Sequence, residues 1–230
     1  MKTLKLSLLS LVATVLTSSL MAGAFDITYD FTNSGDATSV TGDVSGSTVT
    51  PVGYSGWATI GSSTVQFRSN FTPSAQSDTA YIAFTLTPTT PGETLDFTSF
   101  AFSLGGRDGN ANTSIVSVNL RIGETGSDFS SLSDVIFMPG SVDTATHTVV
   151  GPTSDTFTDY TADLTAAAYQ GMESAEIRLY YFDNTGGSNM YGAIDYISMS
   201  GAAVVPEAST LVLLSGAAFI MFAFMLRRRR

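Results

Sequence analysis

The side chains able to do chemistry are mostly carboxylates. Residues 25–205 hold 19 Asp and Glu against four cations, Arg68, Arg107, Arg121 and Arg178, a net charge of −15 with no lysine. Two acids at a suitable separation are all that a glycosidase requires. Acids spread this widely over turns form such pairs by position alone, so the count does not single out an active site. His147 is the only histidine and there is no cysteine, which removes thiolate nucleophiles, iron–sulfur clusters and any zinc site needing a second His or Cys. Serine catalysis has no support either: "GYSG" (53–56) lacks the G-x-S-x-G spacing of a nucleophile elbow. The expectation is a chain that binds or assembles and catalyses nothing.

Oxygen-rich segments offer a different chemistry. "RDGNANTS" (107–114) puts Asp108, Asn110 and Asn112 at alternate positions of a Gly-containing loop, the hard oxygen donors that calcium prefers. The same segment also reads as an Asn/Gly turn between strands. Asp195, in "AIDYISMSG", is an acid within an apolar run, and a buried carboxylate requires a cation or several donors. Asp26 or Asp30 approaches it if the first and last strands pair. A structural calcium ion is therefore the one cofactor these residues admit. Trp57, Tyr54, Tyr180, Tyr181 and Tyr191 are the aromatics whose faces can stack on sugars. Of adjacent Tyr180 and Tyr181, one must point outward if "RLYYFD" is a strand.

The elements that must hold these residues are short and alternating, with no sustained 3.6-residue period. Ile27, Tyr29 and Phe31 alternate in "ITYDF", and Val116, Val118, Leu120 and Ile122 do so in "SIVSVNLRIG". "AYIAFTL" is closed by the breaker "TPTTPGE". In "LDFTSFAFSL" the alternation shifts at Ser99 and Phe100, which signals a bulge or a bend between sheets. One short helix is expected at "LTAAAYQGM" (164–172). About ten strands separated by Gly, Asn, Asp, Ser and Pro predict an all-β sandwich, jelly-roll-like, rather than a parallel α/β fold. The acidic balance argues against nucleic acid as a partner, because phosphate contacts need Lys and Arg.

The two ends of the chain are unlike its body. Lys2 and Lys5 precede an apolar stretch and small residues ending at Ala24, the pattern of a secretory signal peptide over residues 1–24 with Phe25 as the mature N-terminus. At the other end, Val205, Pro206, Glu207, Ala208, Ser209 and Thr210 lead into an apolar run, 211–226, and then Arg227, Arg228, Arg229 and Arg230. That run of 16 residues makes a helix of about 24 Å at roughly 1.5 Å per residue, short for a bilayer core of about 30 Å, so flanking residues must snorkel or the bilayer thin. The arginines stay cytoplasmic by the positive-inside rule, which leaves the body periplasmic.

This tail, 204–230, closely resembles the PEP-CTERM sorting signal, whose usual motif is V-P-E-P-S-T before a spanning helix and a basic cluster; here Ala208 replaces the second proline. The resemblance implies recognition by an exosortase, an integral membrane cysteine peptidase that cleaves near the Pro-Glu pair. "LDFTSFAF", "SAEIRLYYF" and "AIDYISMSG" are also similar to the jelly-roll domain common in that family. The implied protein is exported, has its β-sandwich at 25–203, is held transiently in the inner membrane and is then delivered to the cell surface or extracellular matrix, in association with exopolysaccharide. Two alternatives stay open on the residues alone: a secreted glycan-active enzyme using a carboxylate pair, and a permanently anchored periplasmic binding protein.

Overall fold

The computed structural model describes residues 23–31, 35–53, 60–61, 64–69, 76–106, 116–135, 142–143, 148–150, 157–183 and 190–205. Fourteen strands run through them: β1 (Gly23–Tyr29), β2 (Ser39–Thr41), β3 (Val44–Gly46), β4 (Thr50–Val52), β5 (Ile60–Gly61), β6 (Thr64–Ser69), β7 (Tyr81–Pro88), β8 (Thr94–Gly106), β9 (Val116–Glu124), β10 (Val142–Asp143), β11 (Thr148–Val150), β12 (Phe157–Asp163), β13 (Ala175–Asp183) and β14 (Met190–Val204). One sheet has the order β12-β8-β14-β1-β2, with β6 also on β14 and β5 on β6. The other runs β10-β11-β9-β13-β7-β3, with β4 also on β7. Every pairing is antiparallel. We call these the first and second sheets; together they form the β-sandwich that the alternating runs predict.

The apolar sets read from the sequence face one another between the sheets. Ile27, Tyr29 and Phe31 are buried on the first sheet's side, and Ile82, Phe84, Leu86, Val118, Leu120 and Ile122 on the second's. Tyr29 crosses the gap: its ring lies 4.9 Å from that of Phe84, and its hydroxyl donates to the Ser47 carbonyl at 3.0 Å. Buried phenols need such a partner. Phe31, at φ 55°, is a bulky residue in the left-handed region, held there by burial of its ring.

Two register shifts decide which residues of β8 and β14 face inward. Ser200 opposes Ser99 whereas Gly201 opposes Phe97, so Thr98 is an extra residue on β8. Leu95 and Phe97 are buried before it, and Phe100, Phe102 and Leu104 after it. The shift expected near Ser99 is thus a bulge within one sheet. The second lies on β14, where Ile194 opposes Leu104 and Ile197 opposes Phe102. One of Asp195 and Tyr196 is extra there, and the buried set passes from Ile194 to Ile197 and Met199. A one-residue slip moves every later side chain to the opposite face.

The helix expected at 164–172 is not formed. Only Ala167–Tyr169 makes a 3-10 turn, and Ala166 at its N-cap supplies no capping side chain. The flanking backbone is bound instead to β8: Leu95 N–H donates to the Met172 carbonyl at 2.8 Å and Met172 N–H returns to Leu95 at 3.1 Å. Gln170 Nε2 adds bonds to the carbonyls of Phe97 and Leu164 at 2.8 and 2.7 Å. β1 begins at Gly23, two residues ahead of the expected mature N-terminus, with Gly23 and Ala24 opposite Ala203 and Ala202. Cleavage after Ala24 leaves residues 25–29 of that strand. Residues 1–22 of the expected signal peptide (1–24) and the segment 206–230 lie outside the described residues. No helix among the described residues is long and apolar enough to cross a membrane.

Gly201 shows how close the packing is on β14. A Cβ there would meet the Asp96 carbonyl oxygen and the Phe25 ring, so the ring lies where any side chain would stand. Gly201→Ala is expected to lower unfolding stability by about 1–3 kcal/mol through overpacking, read as a reduced urea midpoint at unchanged slope.

Candidate functional site

On the outer side of the second sheet, alternate residues of β9 and β13 come into register: Tyr180 opposes Asn119 and Arg178 opposes Arg121. Two guanidinium groups on neighbouring strands repel unless each is neutralised, and each is. Arg178 Nε donates to Glu176 Oε1 at 2.6 Å. Arg121 donates through Nε to Asp134 Oδ1 at 2.7 Å, and through Nη1 to Asp78 Oδ1 at 3.2 Å and to the Phe129 carbonyl at 2.7 Å. The planar cations also lie on rings: Arg178 is 4.3 Å from the Tyr81 centroid and 3.8 Å from that of Phe129, and Arg121 is 5.1 Å from Tyr180.

The segments at 76–80 and 127–135 cover this face through those contacts. Asp128 caps the 3-10 turn Phe129–Ser131 by accepting from Ser130 N–H at 3.0 Å. Leu132 and Phe129 then pack over Gly123, where a side chain would collide with Leu132. Asn119, 2% exposed, donates from Nδ2 to Gln76 Oε1 at 2.6 Å and to Asp134 Oδ2 at 3.1 Å. Tyr180 is fully buried, and burial first of all pushes its phenol above the ordinary value, against the nearby arginines. The cluster pairs each cation with an acid.

The first sheet presents acids on its outer side. Asp159 of β12 opposes Ser103 of β8, which in turn faces the irregular step at Asp195 and Tyr196. Burial, then the charges of Asp159 and Asp30, raise the Asp195 carboxyl above the usual range. Burial and Asp159 raise the Tyr196 phenol. Farther along the strands, Asp163, Ser99, Ser200, Asp26 and Thr41 follow one another in register across β12, β8, β14, β1 and β2.

The sequence candidates fare unequally. Asp195 is not enclosed by its apolar neighbours, because the irregular step leaves both it and Tyr196 partly exposed. Asp30 is the acid of the first strand that acts on it; Asp26 stands opposite Ser200 instead. Among the described residues no three His, Cys, Asp or Glu side chains are placed to hold a metal ion. Tyr181 is 2% exposed within the core between the sheets, so its face offers no platform for a sugar. The outward member of the pair is Tyr180, itself buried under the covering segments. Asp108, Asn110, Asn112, Tyr54, Trp57 and His147 lie outside the described residues; of Tyr191 only its strand position, opposite Arg68, is described. The cluster of Gln76, Tyr81, Asn119, Arg121 and Arg178 was not singled out from the sequence. Its signal was there in part, since Arg121 and Arg178 are cations set inside alternating apolar strands.

No protein-family model matches this chain, and no curated protein matches it in sequence. Among solved structures it is similar to a family 29 carbohydrate-binding module in complex with mannohexaose, at 13% identity, covering 79% of this chain and 93% of that one with a TM-score of 0.35. It is also similar to a second family 29 module, from Piromyces equi, at 12% identity over 77% of this chain and 90% of that one, TM-score 0.38. A xylan-binding module of family 15 matches at 14% identity over 78% and 90%, TM-score 0.36. Likenesses of this size carry no argument about ligand, and the fold assignment rests on the strand order itself.

The raised carboxyl of Asp195 has a consequence for stability. The folded state holds this proton more tightly than the unfolded chain, so its contribution is complete below the ordinary carboxylate value of about 3.9 and lost as pH rises through the raised one. Asp195→Asn is therefore expected to melt higher than the parent at pH 7, with the difference closing toward pH 4; equal melting temperatures at both pH values would contradict it.

Proposed function

We propose that this is an exported, non-catalytic β-sandwich protein that is held transiently in the inner membrane, processed at its tail by an exosortase-type peptidase and delivered to the cell surface or extracellular matrix. There its body associates with exopolysaccharide. The observation that carries the reading is the join between body and tail. β14 ends at Val204, and Val205, Pro206 and Glu207 follow at once. Cleavage near Pro206–Glu207 would therefore leave β14 whole. The signal-peptide pattern at 1–24 and the basic end at 227–230 supply the orientation this route needs. An acidic body with few cations suits a soluble partner of neutral polymers better than a nucleic-acid ligand.

Intact mass tests both ends together. Material from the cell surface should begin at Phe25 and lack residues 211–230, whereas Glu207→Ala should accumulate in the inner membrane with its tail intact. Surface material that retains residues 211–230 would overturn the processing route.

A further inference from the structure

Of the strands that end the two sheets among the described residues, all but one are short. β2, β3 and β4 have three residues each, β5 and β10 have two, and β4 carries Pro51. Shortness and proline keep a sheet from adding a foreign strand at its edge. β12 has neither. Its seven residues, FTDYTAD, pair with β8 from Phe157 opposite Gly105 to Asp163 opposite Ser99 without a register shift, and include no Gly, Pro or Lys. Among the described residues no strand pairs with its other edge. Phe157, at 40%, is the most exposed aromatic ring among them.

Charge decides what such an edge can take. Tyr160 and Ala162 are buried, while Asp159, Thr161 and Asp163 are exposed on the other face. Two β12 strands related by a two-fold axis continue one sheet only when residues of the same face oppose each other, so the axis must pass through a residue. An axis at Asp159 sets the two Asp159 carboxylates against each other, and one at Thr161 sets Asp159 against Asp163; like charges directly opposite destabilise a sheet. Axes nearer either end leave most of the strand unpaired. An axis at Tyr160 avoids all of this: Asp159 opposes Thr161, Phe157 opposes Asp163, Thr158 opposes Ala162, and the whole strand is paired. Both carboxylates are also engaged within their own chain. Asp163 Oδ1 accepts from the Thr165 N–H at 2.8 Å and from its hydroxyl at 2.7 Å, and Asp159 acts on Asp195 and Tyr196 of β14, beyond Ser103. The Tyr160 ring stacks on Phe102 at 5.4 Å, so it stays with its own core and leaves the backbone to make the contact.

We infer that β12 is a homotypic interface, along which two copies of this chain join antiparallel with Tyr160 on the two-fold axis and their first sheets become one. The inference goes beyond the proposed export and polysaccharide association and depends on neither. Paired bodies would engage a polymer at two points, which raises avidity without a new contact.

Charge also supplies the test. Self-association of the full-length protein in detergent is followed by sedimentation equilibrium up to high micromolar concentration, and the parent should dimerise. Thr161→Asp sets Asp against Asp twice across the axis and should raise the dimer dissociation constant about tenfold. Asp159→Thr combined with Thr161→Asp exchanges the two residues at unchanged composition, removes both clashes and should restore the parent's affinity. Both positions are exposed, so circular dichroism of the diluted variants should match the parent. A chain that stays monomeric throughout overturns the inference. So does an association that Thr161→Asp leaves unchanged, which would lie on another surface, or one that the exchange fails to restore. None of these results bears on the processing route, which intact mass reads.

Discussion

β14 is hydrogen-bonded on both sides. It pairs with β1 from Ala203 to Ile197, with β8 along most of its other edge, and with β6 at its start. Antiparallel sheets tolerate ragged edges but not a missing interior strand, because both neighbours then lose their ladders and the apolar faces lose their cover. β14 is also the last of the described strands, so the first sheet closes only when residues 190–204 are in place. Its contacts with β1 make the sandwich depend on pairing the two ends of the body, the slowest sort of contact to form.

The irregular steps on β8 and β14 follow from that central position. A strand of 15 residues lies beside one of 13, and an extra residue on each bends it, raises the local twist and changes which side chains look inward. On β8 the change keeps Phe97 and Phe100 both buried. On β14 it turns Asp195 away from the apolar layer, toward Asp159 and Asp30. The outer faces diverge accordingly. The first sheet shows rows of Asp, Ser and Thr, while the second gathers Arg121 and Arg178 with amides and phenols under two covering segments.

Much of this architecture was legible in the residues. The period-2 runs at Ile27–Tyr29–Phe31 and Val118–Leu120–Ile122 are core faces as read, and the slip at Ser99 was visible because two aromatics of opposite phase, Phe97 and Phe100, cannot share one regular strand. Asp195 was misread for the converse reason: "AIDYISM" carries no breaker, so nothing local announces the step. Tyr180 illustrates a second limit. Alternation correctly sets it opposite to Tyr181, but its burial depends on residues 76–80 and 127–135, far along the chain. The 164–172 helix failed because the backbone of that segment found partners on β8 that local propensity does not see. The Gln76–Asn119 pair spans 43 positions, and no spacing rule connects them.

The account ties function to a sandwich whose last described strand ends at Val204 and to the proposed release of the tail that follows it. Its central claim is that β14, the strand abutting the proposed sorting motif, is the most stable element of the sandwich and not a peripheral extension of the tail. Native-state hydrogen exchange on the mature protein measures this directly. The account predicts that the amides of Ile197, Ser198 and Met199 exchange only through global unfolding, as slowly as any in the molecule. Exchange of those amides through a low-energy local opening, at rates like those of edge strands β2 and β12, would contradict it.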